Sequence, residues 1–159
     1  LHRRYPVTVK CVSDLLFHCP TLTCLDLSSI PLAFVYFESF LPSMPRLRMV
    51  SFAGNELLGT EKIIRSLARN CLDLEVVCVN YFHSTNNFEI ERAFVYLLQR
   101  CEKLKELILN GLFVRNLILS IRSLAYYVCN KEDISIVENK PFSLPGPQNC
   151  LNNVKNRKL

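Results

Sequence analysis

One stretch of the chain, Cys101-Glu-Lys-Leu104-Lys-Glu-Leu107-Ile-Leu109, has three counterparts earlier in the sequence. The shared frame is C-x-x-L-x-x-L-x-L, and it recurs with substitutions at 19–27, 44–52 and 71–79. The leading leucines, which are Leu22, Leu47, Leu74 and Leu104, lie 25, 27 and 30 residues apart. Periods of this size are typical of repeats in which each unit supplies one strand and one helix. The frame therefore predicts a repeat protein of the α/β class.

The spacing within the frame predicts which side chains face the core. Its last two apolar residues are two apart, so in a strand both point into the interior while the residues between them point outward. The frame predicts parallel strands at 24–28, 49–53, 76–80 and 106–110, adjacent in that order, with helices on the opposite face. One unit cannot bury its own apolar face, so stacked units predict a single elongated domain.

The cysteines that open three of the four frames carry a resemblance to a known family. With Cys19, Cys71 and Cys101 three residues before a leading leucine, and Met44 in the second frame, the chain resembles the cysteine-containing, ribonuclease-inhibitor-like leucine-rich repeats of F-box substrate receptors and related cullin-ligase adaptors. The resemblance implies a leucine-rich repeat solenoid, with a curved parallel sheet on the concave side and helices on the convex side. It also implies substrate recognition for a ubiquitin ligase complex.

Amphipathic spacing predicts helices at 11–19, 62–71 and 90–101, and a shorter one that ends near Leu41 because Pro42 and Pro45 follow. Beyond Gly111, a helical pattern at 114–129 and the alternation at 134–136 predict a degenerate fifth unit. We expect residues 1–140 to form the leucine-rich repeat domain, with about four clear repeats plus the fifth. Residues 141–159, rich in proline, asparagine and lysine, are expected to form a flexible basic tail.

The net charge of +5 resides at the ends of the chain. The central 150 residues from Tyr5 to Val154 carry 14 basic and 14 acidic side chains, which leaves no field to attract a phosphate backbone, so we expect no nucleic-acid partner. No run approaches the roughly 18 apolar residues of a membrane span, and no signal peptide is visible, so no membrane partner is expected either. Because the chain begins at Leu1, we expect a fragment of a longer protein.

The eight cysteines do not form a metal-binding or disulfide pattern. No paired C-x-x-C spacing exists, and three cysteines occupy one recurring position where a small thiol packs as an apolar group. No N-x-[ST] sequon occurs, which with the thiols favours an intracellular location, cytoplasmic or nuclear. Cys78 and His83 have no orienting acid, and phosphate-binding glycine motifs are missing, so we expect no cofactor and no enzyme activity.

The outward strand positions form the candidate site. Three rows are predicted, consisting of Cys24, Met49, Val76 and Glu106; Asp26, Ser51, Cys78 and Ile108; and Ser28, Ala53, Asn80 and Asn110. The apolar members Met49, Val76 and Ile108 predict an exposed patch for a protein partner, with Tyr81 as an aromatic anchor at its edge. The predicted protein-binding residues are Met49, Ser51, Val76, Cys78, Asn80, Tyr81, Glu106, Ile108 and Asn110.

Other interpretations remain open at this level. A flanking segment could cover the patch, in which case its apolar residues would not mark an interface. The domain could also be a scaffold or a GTPase-regulator-type adaptor unrelated to ubiquitin, or a folded remnant without activity. No F-box segment is visible, so any docking to cullin-ligase components would require sequence outside this chain.

Overall fold

The computed structural model describes residues 14, 16–29, 40–54, 60–80, 87–111 and 114–145. The strands are β1 (Cys24–Asp26), β2 (Met49–Ser51), β3 (Val76–Asn80), β4 (Glu106–Asn110) and β5 (Ser135–Glu138). The helices are α1 (Thr60–Asn70), α2 (Asn87–Arg100) and α3 (Val114–Tyr127). All five strands are parallel and lie in one sheet in chain order. The protein is therefore a mixed α/β protein, and the predicted order and direction of its strands are confirmed.

The register of the sheet follows the sequence frame. Leu25 lies opposite Val50, which lies opposite Val77, and the row continues through Leu107 to Ile136. All five side chains are buried in the hydrophobic core. Because equivalent frame positions pair directly, the inward assignment made from the two-residue spacing is confirmed.

The helices supply the other side of that core. Their buried residues include Ile63 and Leu67 of α1, Phe94 of α2 and Ile121 of α3, and they belong to the same apolar cluster as the inward strand residues. α2 packs between α1 and α3. One layer of helices thus covers one face of the sheet, which leaves the other face as the candidate binding surface.

The turn that leads into each of the first four strands is held by one recurring hydrogen bond. The leading leucine N–H donates to the carbonyl oxygen three residues earlier, from Leu22 to Cys19, Leu47 to Met44, Leu74 to Cys71 and Leu104 to Cys101, with distances of 3.1, 3.2, 3.4 and 3.1 Å. The four sequence frames therefore have the same backbone geometry at their first turn.

The helix before β2 differs from its prediction. The chain forms a short 3₁₀ helix at Leu41–Ser43, two residues beyond the predicted end near Leu41. Pro42 is tolerated in its first turn because the missing N–H has no partner there in any case. Of the helix predicted at 11–19, the described residues Asp14, Leu16 and Phe17 are helical, whereas His18 and Cys19 are not. The tail beyond Pro145 lies outside the described residues, so its predicted flexibility stays a prediction.

The edge of the sheet at β5 is closed by a side chain from α3. Ser135 and Asn139 donate backbone N–H groups to the carbonyls of Lys105, just before β4, and of Leu109 in β4, so the carbonyl of Ile136 points away from the sheet. Arg122 Nη2 donates a hydrogen bond to that carbonyl oxygen at 2.6 Å. A free strand edge attracts further strands, and this arginine occupies one of its acceptors.

Candidate functional site

The face of the sheet opposite the helices carries the predicted rows, and we call it the outer face. Its described members on the strands are Cys24, Asp26, Met49, Ser51, Val76, Cys78, Asn80, Glu106, Ile108, Asn110, Ser135 and Val137. Met49 pairs with Val76, which pairs with Glu106, and Ser51 pairs with Cys78, which pairs with Ile108. Asn80 lies opposite Asn110. The predicted alignment of these rows is confirmed, whereas binding by them stays a prediction.

Exposure divides the outer face into two kinds of position. Met49 and Val76 are partly exposed and lie side by side, as the apolar patch requires. Ser51, Cys78 and Ile108 are 0%, 0% and 2% exposed. The prediction that these three residues face solvent is wrong.

The reason lies in their neighbours on the same face. Cys78 and Ile108 are buried but do not belong to the core cluster, so something on the outer side of the sheet covers them. The short side chains of Ser51 and Cys78 lie between longer ones on strands about 4.8 Å away. Asn110 reaches over Cys78, with its Nδ2 donating to the thiol sulfur at 3.5 Å. Tyr81, the predicted aromatic anchor, lies outside the described residues.

Hydrogen bonds link the polar groups of β1 and β2 across the outer face. The Ser28 N–H donates to Asp26 Oδ1 at 2.9 Å, and the Ser28 hydroxyl bonds to the same carboxylate. The hydroxyls of Ser28 and Ser51 are 2.9 Å apart, and the Ala53 N–H donates to Ser51 Oγ at 3.2 Å. The buried hydroxyl of Ser51 is therefore satisfied within the protein, which makes it a structural residue rather than a free contact.

Cys78 is the one thiol in the middle of the candidate site. Burial raises its pKa, the carboxylates of Asp26 and Glu106 raise it further, and hydrogen bonds with Ser51 and Asn110 only partly offset the rise. The thiol is therefore protonated at neutral pH, and a nucleophilic cysteine would need the thiolate. His83, its only suggested partner in the sequence, lies outside the described residues.

Asn80 and Asn110 are the last residues of β3 and β4, and their side-chain amides lie on the outer face. The side-chain oxygen of each residue is buried and accepts no hydrogen bond from the part of the chain that the structure describes. Buried acceptors without a partner cost stability.

Charged residues border the outer face where the chain enters the strands. Glu75 accepts hydrogen bonds from Arg48 Nε at 2.6 Å and from Lys105 Nζ at 3.0 Å, so one carboxylate joins three successive units. Burial alone would raise the pKa of Glu75, but the hydrogen bonds from Lys105 and Arg48 outweigh it and hold the pKa below its ordinary value. The ion pairs of Arg48 and Lys105 with Glu75 link neighbouring units. Both cationic side chains are engaged by Glu75 and are therefore not free to bind a ligand there.

Glu106 makes the contact that sequence reasoning missed. Its Oε1 accepts a hydrogen bond from Lys140 Nζ at 2.6 Å. The two residues are 34 positions apart and share no frame position, so no periodic signal could have paired them. A member of the predicted binding surface is therefore already engaged by the chain itself.

A groove also lies on the helix side of the described residues. It has a volume of about 400 Å³ and is lined by Arg65, Phe88, Glu91, Arg92, Val95, Tyr96, Gln99, Leu124 and Val128. The Arg92 guanidinium lies 5.5 Å from the centre of the Phe88 ring. Arg65 and Arg92 both pair with Glu89, so the local charge is nearly balanced and selects no class of ligand.

The described residues offer little sign of other kinds of site. They contain no group of three or more metal-ligating side chains. No helix among them is long and apolar enough to cross a membrane. No protein-family model matches the chain, and no curated protein matches it significantly.

Proposed function

We propose that this chain is a leucine-rich repeat domain that binds a protein partner on the outer face of its sheet, without catalysis. The observation that carries the proposal is the in-register row of partly exposed Met49 and Val76 on the face of the sheet opposite the described helices. Apolar side chains left partly exposed beside each other mark interaction surfaces more often than scattered ones do. The solenoid architecture, with this face concave, is part of the same proposal.

The partner class follows from the family resemblance. The cysteine-containing repeats resemble those of F-box and cullin-ligase receptors, so the domain is proposed to recognise substrates for a ubiquitin ligase. The docking of ligase components would then depend on sequence outside this chain. A scaffold or GTPase-regulator adaptor is the alternative within the same binding role, and an intracellular location belongs to either version.

The experiment compares affinity purifications from cells that express the wild-type chain and the Met49→Asp/Val76→Asp double variant. We expect the double variant to lose partners, because each change places a charge in the apolar part of the surface and spares the core. An interface anchor is worth about 2 kcal/mol or more, whereas a surface substitution usually changes stability by about 0.5 kcal/mol or less.

A matched control is available on the helix side. Leu119 is 60% exposed on α3, so Leu119→Asp replaces an exposed apolar residue by one such charge away from the outer face. Partners lost in the double variant but kept in the control would support the proposal. Identical partner sets in all three proteins, each folded by circular dichroism, would contradict it, and partner sets without ligase components would favour the scaffold alternative.

A further inference from the structure

We propose that residues 140–145, which we call the return segment, fold back across the outer face and cover part of it. A partner protein would have to displace this segment in order to bind. The inference rests on the proposed function for the identity of the surface. It is tested, however, through the chain alone. It is carried by three observations: where β5 ends, where Lys140 binds, and which outer residues are covered.

The first observation fixes the end of β5. The Asn139 N–H donates to the Leu109 carbonyl at 3.1 Å, and the Gly111 N–H donates to Asn139 Oδ1 at 3.0 Å. These bonds hold Asn139 opposite the C-terminal end of β4, next to Asn110. A chain that continued straight from there would leave the sheet at that end.

The second observation shows that the chain does not continue straight. Glu106 begins β4, and a straight continuation would put Lys140 about 16 Å further along the strand direction than Glu106, too far for the two side chains to meet. Their contact at 2.6 Å therefore requires the chain to reverse after β5. Asn139 has φ of 49°, the left-handed conformation that asparagine tolerates in turns, and it provides the reversal.

The direction of the reversal follows from Glu106. Its neighbour Leu107 points into the core, so alternation along the strand puts the Glu106 side chain on the outer face. Lys140, bonded to that carboxylate, must lie on the same face. The return segment therefore starts at the end of β5, and its first side chain reaches Glu106 on the side that a partner would approach.

The third observation concerns burial beneath and within the segment. Ile108, two residues after Glu106, is 2% exposed although it lies outside the core cluster. Phe142 and Pro145 are partly buried although residues 140–145 form neither helix nor strand, whereas the rest of the segment is exposed, Leu144 to 49%. An irregular segment with partly buried apolar side chains is packed against the protein, and Ile108 is an apolar surface within its reach.

The attachment is of a kind that a partner can displace. Lys140 and Glu106 keep side-chain exposures of 51% and 22%, and such ion pairs contribute little to stability. The segment reads Lys-Pro-Phe-Ser-Leu-Pro, a cation followed by apolar residues. A partner with an extended segment of the same chemistry would place its own lysine or arginine on Glu106 and shift the population toward the open form.

The test measures chymotrypsin cleavage of the bond between Phe142 and Ser143 in the full chain, with the site identified by mass spectrometry. A docked segment resists cleavage, and a released one does not. We expect several-fold faster cleavage in Lys140→Glu and in Glu106→Lys than in the wild type. The charge-swapped protein with both substitutions should return toward the wild-type rate, because the ion pair is restored with its ends exchanged.

Lys103→Glu is the matched control, since Lys103 forms an exposed ion pair with Asp73 at 2.5 Å that does not involve the return segment. Its cleavage rate should equal that of the wild type. Equal rates in all proteins, or no recovery in the charge-swapped protein, would overturn the proposal. Circular dichroism checks that each variant is folded.

A second measurement uses a fluorescein-labelled peptide with the sequence of residues 139–145 and reads fluorescence anisotropy. The peptide should bind Lys140→Glu more tightly than the wild type, whose own segment competes, and should not bind Glu106→Lys. Equal binding to all three proteins would also overturn the proposal. Neither assay needs a cellular partner, so a failure of the purification experiment can be separated from a failure here.

Discussion

The thiol of Cys101 donates a hydrogen bond to the backbone carbonyl of Cys71, with sulfur and oxygen 3.5 Å apart. Cys71 makes the same bond to the Met44 carbonyl, at 3.6 Å. Beyond Cys101 a lysine takes over, since Lys131 Nζ donates to the Cys101 carbonyl at 2.7 Å. Each of these side chains thus adds a second hydrogen bond to a carbonyl that already accepts the N–H of the leading leucine at the bend of the preceding unit.

This arrangement predicts a loss of stability at alkaline pH. Burial raises the pKa of Cys71 from 9.0 to about 12, and burial raises that of Cys101 to about 11. Between these values and 9.0 the unfolded thiols lose their protons while the folded ones keep them. The stabilising contribution of the two protonated thiols is therefore fully present below pH 9. Above pH 9 the free energy of unfolding falls by roughly 1.4 kcal/mol per pH unit for each thiol.

Urea unfolding at pH 7.5 and pH 10, in the presence of reductant, measures this loss. The Cys71→Ala/Cys101→Ala variant should be less stable at pH 7.5 but should lose less between the two pH values than the wild type. Parallel losses in the two proteins would show that these thiols do not control alkaline stability.

A core prediction follows from the inward row. Leu107 is 0% exposed between Val77 and Ile136, so Leu107→Ala should lower the free energy of unfolding by about 2–5 kcal/mol. Glu102→Ala, at an exposed position nearby, should change it by about 0.5 kcal/mol or less. Chemical denaturation of both variants checks this, and equal midpoints would mean that Leu107 is not in the core.

An acid-pH prediction concerns Glu75. Because its pKa is held below the ordinary 4.5, its charge stabilises the fold above that pH, and the contribution disappears as the pH falls through the lower folded value. Glu75→Gln should lower stability at pH 7 by about 1 kcal/mol or less, as expected for partly exposed ion pairs. Thermal melts from pH 7 to pH 3 should show the two proteins converging at the acid end. A constant difference across this range would contradict the assignment.

The edge at β5 gives a prediction about association. Arg122→Ala would uncover the Ile136 carbonyl and should increase self-association, because an unblocked edge accepts another strand. Sedimentation velocity over a concentration series measures it, with Arg69→Ala on α1 as an exposed control of the same residue type. A monomeric Arg122→Ala protein would show that the edge is protected in some other way.

The strand order and register could be predicted because they depend on a local spacing that recurs. Leu107 and Val77 are fixed by the same two-residue alternation, and identical frames can only stack in one register. The burial of Ile108 could not be predicted in this way. It depends on side chains from distant positions, and the contact of Lys140 with Glu106 follows no period.

The cysteine positions were partly predictable for a similar reason. Cys71 and Cys101 are buried as expected, because each has a preceding unit whose carbonyl it can reach. Cys19 is only partly buried, so the expected burial of all three cysteines is not met. Lys131 replaces the thiol after the last clear frame, and nothing in the frame itself predicts a lysine there.

Paired residues on successive strands, from Cys24 through Met49, Val76 and Glu106 to Ser135, are separated by 25, 27, 30 and 29 residues along the chain. The differences in separation lie in the connections between the strands. Neighbouring strands stay about 4.8 Å apart, so the five strands span roughly 19 Å. The width of the outer face therefore depends on the number of strands and not on the number of residues in each unit. Duplicating one unit would widen the outer face by a single fixed step, and a longer extended partner could be matched by changing the number of units alone.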